Sequence, residues 1–180
     1  MPETTQVAGP LVCVDVDNTI ADTLASLRTA FPFAGADETD FTPWGATQAY
    51  FASPDGILTL WKAPPFPGAA PFLRALGRTR RLLYLTARPP EAEAMTYRWL
   101  ARHGFPEAPV RATGDDDAKC KALRELRPRL LYDDNVRILI EAMLLGVPYA
   151  VHDRPWNRRV SGPRILAWTQ CPLLPRAIPA

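Results

Sequence analysis

The chain has 180 residues, 47% of them hydrophobic, which is enough for one domain with a buried core. Its 21 basic and 19 acidic residues give a net charge of +2, which disfavours a membrane surface or nucleic acid as partner without excluding nucleic acid. Apolar runs are too short to cross a membrane and no secretory signal pattern is visible, so we expect a cytoplasmic protein.

Apolar runs alternate with helical patterns along the chain, as in an α/β fold with a parallel sheet. The strand candidates are Leu11–Val16, Leu82–Leu85, Val110–Ala112, Leu130–Tyr132 and Tyr149–Val151. The helix candidates carry apolar residues at intervals of three and four and are Ala69–Gly77, Glu91–His103, Asp117–Leu126 and Val136–Leu145. This order predicts a Rossmann-like parallel sheet flanked by helices.

The stretch of about 22–67 breaks the alternation with glycines, prolines and aromatic residues. It contains no clear strand, so we predict a small cap insertion after the first strand, helical or irregular, over the strand ends. The core would span about 10–21 and 68–157, and a proline-rich segment of about 158–180 would end along the surface. Together these parts would form a single domain of residues 1–180. The aromatic side chains of the insertion would either stack on a base or form a small core of their own.

Polar side chains follow the predicted strands at their carboxyl ends, where open parallel sheets bind ligands. Asp15 and Asp17 follow the first strand, Thr86 follows the second, and the pair Asp133 and Asp134 follows the fourth. The topology of a parallel sheet would bring these side chains into one pocket, although more than 100 positions separate the first from the last.

The chemistry of these residue types points to phosphoryl transfer. An aspartate can form an aspartyl-phosphate intermediate, and a second carboxylate can give a proton to the leaving oxygen. Asp15 and Asp17 are two positions apart, so both can face the same way in an extended segment. Several carboxylates in one pocket repel each other unless a cation lies among them, and Mg²⁺ prefers such oxygen ligands. Thr86 and Lys119 could bind phosphate through a hydrogen bond and a positive charge.

Each of these residues also has a structural interpretation when taken alone. Thr86 could be a helix cap or a turn residue, and Asp133 with Asp134 could cap the following helix. A lone lysine is usually a solvated surface charge. The combination of all four elements, in this order and at successive strand ends, favours a catalytic site.

The lysines and histidines near these motifs leave alternatives open. Either Lys119 or Lys121 could be the site lysine. We prefer Lys119 because it precedes Leu123 by four positions and so shares the inward face of the helix. His103, near a helix end, is expected at the surface, whereas His152 follows the last strand and could line the rim of the pocket.

Four motifs resemble those of the haloacid-dehalogenase-like hydrolases. They are Asp15–Thr19, Leu85–Arg88, Lys119 and Tyr132–Asn135, and the similarity extends over about residues 11–153. The resemblance implies that Asp15 is the nucleophile and a metal ligand. It implies that Asp17 is the general acid/base and binds the metal through its backbone carbonyl.

The same resemblance implies roles for the other motif residues. The phosphoryl group would be bound by Thr86, Ala87, Arg88 and Lys119. Asp134 would bind Mg²⁺ directly, with Asp133 beside it, and Arg88 would contact substrate or else form a structural ion pair. Phosphatase members of the family have an acid at the position of Asp17 and dehalogenase members lack one, so the resemblance favours phosphoryl transfer.

A narrower resemblance is to the 5'(3')-deoxyribonucleotidase-like branch. It depends on Ile20-Ala21-Asp22, Pro67-Gly68-Ala69 and His152–Asn157, and Trp168 also fits the pattern of that branch. Asn18 departs from the glycine common there, and the insertion is compact, so nucleotide specificity stays open.

The sequence therefore predicts a Mg²⁺-dependent phosphomonoesterase that acts on a small phosphate ester, with a (deoxy)nucleoside monophosphate as one candidate. A phosphatase of nucleic-acid 3' ends is an alternative. Two arginine clusters could provide the basic stripe that it needs, namely Arg78, Arg80 and Arg81, and then Arg124, Arg127 and Arg129. A third hypothesis is a phosphate- or metal-binding module without activity, against which the Asp15–Asp17 pair argues.

Overall fold

The computed structural model describes residues 9–31 and 48–171. Its strands are β1 Leu11–Val14, β2 Arg81–Thr86, β3 Val110–Ala112, β4 Leu130–Asp133, β5 Tyr149–His152 and β6 Arg164–Ile165. Its α-helices are α1 Thr23–Ala30, α2 Gln48–Ala52, α3 Pro54–Lys62, α4 Ala69–Gly77, α5 Glu93–Arg102, α6 Asp116–Leu126 and α7 Val136–Leu144. Within the described ranges, each helix falls short of the length and apolar character that crossing a membrane would require.

The strands of the described chain form one parallel sheet in the order β3-β2-β1-β4-β5-β6. β1 lies inside the sheet, with β2 on one side and β4 on the other. The chain first builds outward from β1 through β2 to β3, and then returns to the other side of β1. Ligands bind at the carboxyl ends of strands where an open sheet changes direction in this way. The predicted Rossmann-like α/β fold is confirmed.

The central strands are apolar on both faces because helices cover the sheet on both sides. Side chains alternate between the faces, so Val12 and Val14 pack in one hydrophobic cluster and Cys13 packs in the other. Tyr132 and Leu131 divide in the same way on β4. Cys13 is fully buried, as expected for a small core residue.

The segment after β5 differs from the prediction. Residues near the end of the chain were expected along the surface, but Arg164–Ile165 forms β6 beside β5. Ile165 and Trp168 are 4% and 2% exposed, so this part of the segment belongs to the core and the surface prediction is wrong for it. A strand of two residues has no periodicity to detect, and the surrounding prolines hide it.

The described part of the predicted insertion contains helices α1, α2 and α3 and no strand. Leu27, Phe51 and Leu60 are buried together in a small cluster, with Phe31 and Tyr50 packed against it. These aromatic residues therefore serve the cluster itself. Trp61 and Phe66 pack instead against the main core. Phe33, Phe41 and Trp44 lie outside the described residues, and the division into core and cap insertion stays a prediction.

Trp99 of α5 links the main core to the end of the insertion. Its side chain is fully buried, and its indole Nε1 donates a hydrogen bond to the Ala63 carbonyl, 2.9 Å away and directly after α3. The ring stacks on Phe105 with centroids 5.4 Å apart. His103, expected at the surface, is half-buried against the same indole, with ring centroids 4.6 Å apart.

Replacing Trp99 should reveal how much this link contributes. Trp99→Phe keeps most of the apolar volume but removes the donor to the buried Ala63 carbonyl, so we expect a loss of about 1–3 kcal/mol in the free energy of unfolding. Chemical denaturation followed by circular dichroism measures this loss. Tyr97→Phe on the same helix removes an exposed hydroxyl and is the control, with an expected change within about 0.5 kcal/mol. Equal effects of the two variants would contradict the role of Trp99.

Candidate active site

The loop after β1 continues along the edge of the sheet and then turns sharply into α1. The Asp15 amide donates to the Tyr132 carbonyl at 2.9 Å, which keeps Asp15 beside β4. The backbone of Asn18 has φ 54°, in the left-handed region that asparagine tolerates better than most residues. The Asn18 Oδ1 accepts a hydrogen bond from the Leu24 amide at 3.0 Å. Asn18 thus fits both the turn and the start of α1, where sequence reasoning had noted only its departure from glycine.

Four of the predicted site residues lie in one buried cluster at the ends of β1 and β4. Oxygen atoms of Asp15, Asp133 and Asp134 lie within 4.8 Å of one another. The Lys119 Nζ lies 2.5 Å from Asp15 Oδ1 and 2.8 Å from Asp133 Oδ2. All four residues are buried, whereas Lys121 is exposed. The structure therefore brings Lys119, and not Lys121, to the carboxylates.

The start of α6 explains why Lys119 points inward. Asp115 caps the helix, with its side chain accepting from the Ala118 amide at 2.7 Å. Lys119 then lies on the same helical face as buried Ala122 and Leu123. Its buried side chain ends at the carboxylates of Asp15 and Asp133.

Burial and mutual repulsion set the electrostatics of this cluster. Burial raises the pKa of Asp15 well above its usual range, Lys119 opposes that rise, and Asp133 and Asp134 add to it. Burial and the charge of Asp133 raise the pKa of Asp134 to about 7. Burial alone would lower the pKa of Lys119, but Asp133 and Asp15 outweigh it and raise that pKa, so the ammonium stays charged. Among the described residues, Lys119 is the cation in direct contact with Asp15 and Asp133, and the charge of Arg154 acts on Asp134, so the three carboxylates still outnumber the positive charges close to them.

Asp17 lies in a neighbouring group of side chains around the end of β2. Arg88 donates from Nε to Asp17 Oδ2 at 2.9 Å and from Nη2 to Asp17 Oδ1 at 2.8 Å. Thr23 Oγ1 lies 2.5 Å from Oδ1, and Thr86 Oγ1 lies 3.3 Å from Oδ2. Burial would raise the pKa of Asp17, but the charge and hydrogen bonds of Arg88 and the bond from Thr23 lower it below its usual value. The half-buried Ala87 accepts from Gln48 Nε2 of α2 through its carbonyl at 3.3 Å.

Asp134 is held by residues that sequence reasoning did not assign to the site. The Trp156 Nε1 donates to Asp134 Oδ2 at 3.0 Å, and the Thr19 hydroxyl donates to Oδ1 at 3.2 Å. The Asn157 Nδ2 donates to the Asp134 and His152 carbonyls, both at 2.9 Å. Trp156 and Asn157 belong to the His152–Asn157 segment noted in the sequence, but no local pattern shows which carboxylate they would reach.

Side chains from the C-terminal part of the chain bind the backbone of the loop after β1. The Asn18 carbonyl lies 2.6 Å from His152 Nδ1 and accepts from Arg154 Nε at 2.9 Å. The Trp168 Nε1 donates to the Thr19 carbonyl at 2.9 Å. Burial and the nearby charge of Arg154 lower the pKa of His152 to about 4, so its ring is neutral and donates from Nδ1. His152 is buried beneath the loop, and not exposed at a rim.

The cluster of Asp15, Asp133 and Asp134 fits a divalent cation. Mg²⁺ binds oxygen ligands at about 2.1 Å, so ligands on opposite sides of the ion are about 4.2 Å apart. Oxygen atoms within 4.8 Å of one another reach that spacing after small side-chain movements. The deficit of positive charge around these carboxylates would favour a cation there.

Comparison with known proteins adds one relative by sequence. No protein-family model matches the chain. A Bacillus cereus protein named "Putative nucleotidase" is 32% identical over 111 residues, which cover 59% of this chain. The match spans 58% of that protein, somewhat more than half of its length.

Several solved structures share the fold at low sequence identity. CbbY from Rhodobacter sphaeroides, in complex with phosphate, is 18% identical with a TM-score of 0.56 and covers 89% of this chain and 95% of its own. YfnB from Bacillus subtilis, bound to magnesium, is 14% identical with a TM-score of 0.58, and the match covers 89% of this chain and 96% of the YfnB chain. L-2-haloacid dehalogenase from Xanthobacter autotrophicus is 16% identical with a TM-score of 0.53, and the match covers 80% of this chain and 77% of the dehalogenase chain. The chain therefore has the fold of the haloacid-dehalogenase-like hydrolases, which confirms the fold that the resemblance implies.

Proposed function

We propose that this protein is a Mg²⁺-dependent phosphomonoesterase that forms an aspartyl-phosphate on Asp15. The observation that carries the proposal is the buried contact of Lys119 with Asp15 beside Asp133 and Asp134. It combines a carboxylate nucleophile, a fixed positive charge for phosphate, and oxygen ligands for a metal ion in one place.

In this mechanism a carboxylate oxygen of Asp15 attacks phosphorus, and the bond from phosphorus to the ester oxygen breaks. Asp17 must first take up a proton, which Arg88 and Thr23 oppose by lowering its pKa, and then gives that proton to the departing oxygen. Water then attacks the phosphorus of the aspartyl-phosphate while Asp17 takes a proton from that water. The bond from phosphorus to the Asp15 oxygen breaks, which releases phosphate and restores the Asp15 carboxylate. Lys119 and Thr86 donate hydrogen bonds to the phosphoryl oxygens during both steps.

The metal site of the proposal consists of Asp15, Asp134 and the backbone carbonyl of Asp17, with Asp133 beside them. Bound Mg²⁺ would neutralise charge on the phosphoryl oxygens. Lys119 holds Asp15 through its ion pair and keeps this carboxylate at the end of β1. Trp156 and Thr19 hold the two oxygens of Asp134 through hydrogen bonds from neutral donors.

Phosphate esters are favoured over organic halides as substrates, because the resemblance implies that dehalogenases have no acidic residue at the position of Asp17. The similarity to a protein named "Putative nucleotidase" and the phosphate complex of CbbY support a small phosphate ester as the substrate. We propose a nucleoside monophosphate as the first candidate, in keeping with the narrower branch resemblance. A 3'-end phosphatase has less support, because Arg124 pairs with Glu141 at 2.7 Å and Arg127 donates to the Leu145 carbonyl at 3.1 Å. These two arginines are engaged within the fold.

Replacement of the nucleophile should abolish turnover. Asp15→Asn keeps the size of the side chain and removes its nucleophilic carboxylate, so we expect kcat with p-nitrophenyl phosphate and Mg²⁺ to fall by about 1000-fold or more. Asp117→Asn makes the same chemical change on the exposed surface of α6 and should leave kcat unchanged. Wild-type turnover by a folded Asp15→Asn protein would rule out the mechanism.

Metal binding should be measurable without substrate. Mg²⁺ should raise the Tm of the wild-type protein, because a ligand at 100 times its Kd stabilises the folded state by about 2.7 kcal/mol. Asp134→Asn removes a direct ligand and should lose most of this increase. Without metal the variant should be at least as stable as the wild type at pH 8, since the raised pKa of Asp134 marks a carboxylate that is repelled in the folded state. An equal Mg²⁺ response of both proteins would exclude Asp134 as a ligand.

A further inference from the structure

We propose that Arg88 is a positioning residue that orients Asp17 for proton transfer, and that it does not bind the phosphoryl group. The inference rests on the proposed phosphatase function and specifies the work of one residue in it. The resemblance to the family leaves Arg88 with two possible roles, substrate contact or ion pair. The geometry around its guanidinium group favours the ion pair, with Asp17 as the partner that Arg88 orients.

The contact between Arg88 and Asp17 is a two-point contact. Nε and Nη2 of Arg88 donate to different oxygens of the same carboxylate, at 2.9 and 2.8 Å. A paired contact of this kind fixes the plane of the carboxylate as well as its position. The Arg88 side chain is 1% exposed and that of Asp17 is 22% exposed. Asp17 therefore faces the open side of the pair, where a substrate would arrive.

Arg88 is itself fixed from behind. Its third nitrogen, Nη1, donates to the hydroxyl of Thr96 at 3.0 Å, and that hydroxyl donates to the Ala92 carbonyl at 2.8 Å. Thr96 is fully buried on α5. Every nitrogen of the guanidinium group thus has an acceptor within the protein. One N–H on Nη1 and one on Nη2 are not used in these contacts, but the Arg88 side chain is only 1% exposed and so offers almost no surface to a phosphate.

A second cation is already available for phosphate. The Lys119 Nζ lies at the proposed nucleophile, 2.5 Å from Asp15 Oδ1. Within the described residues, each of the two proposed catalytic aspartates therefore has its own buried cation. Lys119 serves the carboxylate that attacks, and Arg88 serves the carboxylate that transfers a proton.

The two roles of Arg88 predict different substrate dependence. Proton donation matters for an alkyl phosphate, whose alkoxide is a poor leaving group, and matters little for p-nitrophenyl phosphate, whose phenolate leaves without help. A residue that only positions Asp17 should affect the alkyl ester selectively. A residue that holds the phosphoryl group should affect both esters and should also change the affinity for inorganic phosphate.

The test compares Arg88→Gln, Asp17→Asn and the double variant with wild type, in Mg²⁺, on p-nitrophenyl phosphate and on a nucleoside 5'-monophosphate. We expect Arg88→Gln to lower kcat for the nucleotide by about 100-fold or more and kcat for the aryl ester by less than about 10-fold. KM and the inhibition constant of inorganic phosphate should stay within about threefold, since the phosphate ligands are untouched. The double variant should be no slower than Asp17→Asn alone.

A second variant removes the hydrogen bond between Arg88 and Thr96 and leaves both residues of the Arg88–Asp17 ion pair unchanged. Thr96→Val keeps the shape of the side chain and removes the acceptor of Nη1, so it should produce the same selective loss to a smaller degree. Equal losses on the two esters in Arg88→Gln, together with weaker inhibition by inorganic phosphate, would overturn the proposal and assign Arg88 to the phosphoryl group.

Thermal unfolding separates this inference from the proposed function. If wild type hydrolyses neither ester, the phosphatase proposal fails, whereas the pairing is still tested by the Tm values of the two single variants and the double variant. Arg88 holds Asp17 if the losses in Tm are clearly non-additive, because each single change already breaks the pair. Additive losses would overturn the positioning role whatever the activity.

Discussion

The structure depends on the buried ammonium group of Lys119, which lies among carboxylates at the ends of two neighbouring strands. Removing charges from water is costly, and the attraction between Lys119 and its partners repays that cost only with close contacts. Lys119 meets Asp15 and Asp133 at 2.5 and 2.8 Å, so both strand ends must stay in register. The arrangement still carries more negative than positive charge, and this imbalance is the physical basis of the proposed metal and phosphate chemistry.

The topology of the sheet places this imbalance where a ligand can reach it. β1 lies between β2 and β4, so the side chains that follow these three strands meet although they are far apart in sequence. At this edge of the sheet the proposed nucleophile and the proposed proton donor have different partners, because Asp15 pairs with Lys119 and Asp17 pairs with Arg88. Two aspartates two positions apart can therefore differ in pKa direction, because each has a different cation and a different share of the common repulsion.

Much of the fold and the identity of the acidic cluster could be predicted because both follow from short patterns. Apolar runs marked the longer strands, and polar residues directly after them marked the edge of the sheet. Lys119 was preferred to Lys121 through helical spacing, and the structure brings Lys119 to the carboxylates. The partners of Asp134 and of the Asn18 carbonyl could not be found in this way. Trp156 and His152 reach them through loop geometry, and a two-residue strand such as β6 carries no periodicity.

The loop after β1 has a long-range dependence that bears on how the protein is made. The Asn18 carbonyl is bound by a side chain 134 positions later, and the Thr19 carbonyl by one 149 positions later. Synthesis on the ribosome proceeds from the N-terminus, at about 5–20 residues per second. The loop that carries both proposed catalytic aspartates is thus made about 7–30 s before His152 and Trp168. During translation the nascent chain would hold this acidic turn without the partners that shape it, so the site matures only when nearly all of the domain has left the ribosome.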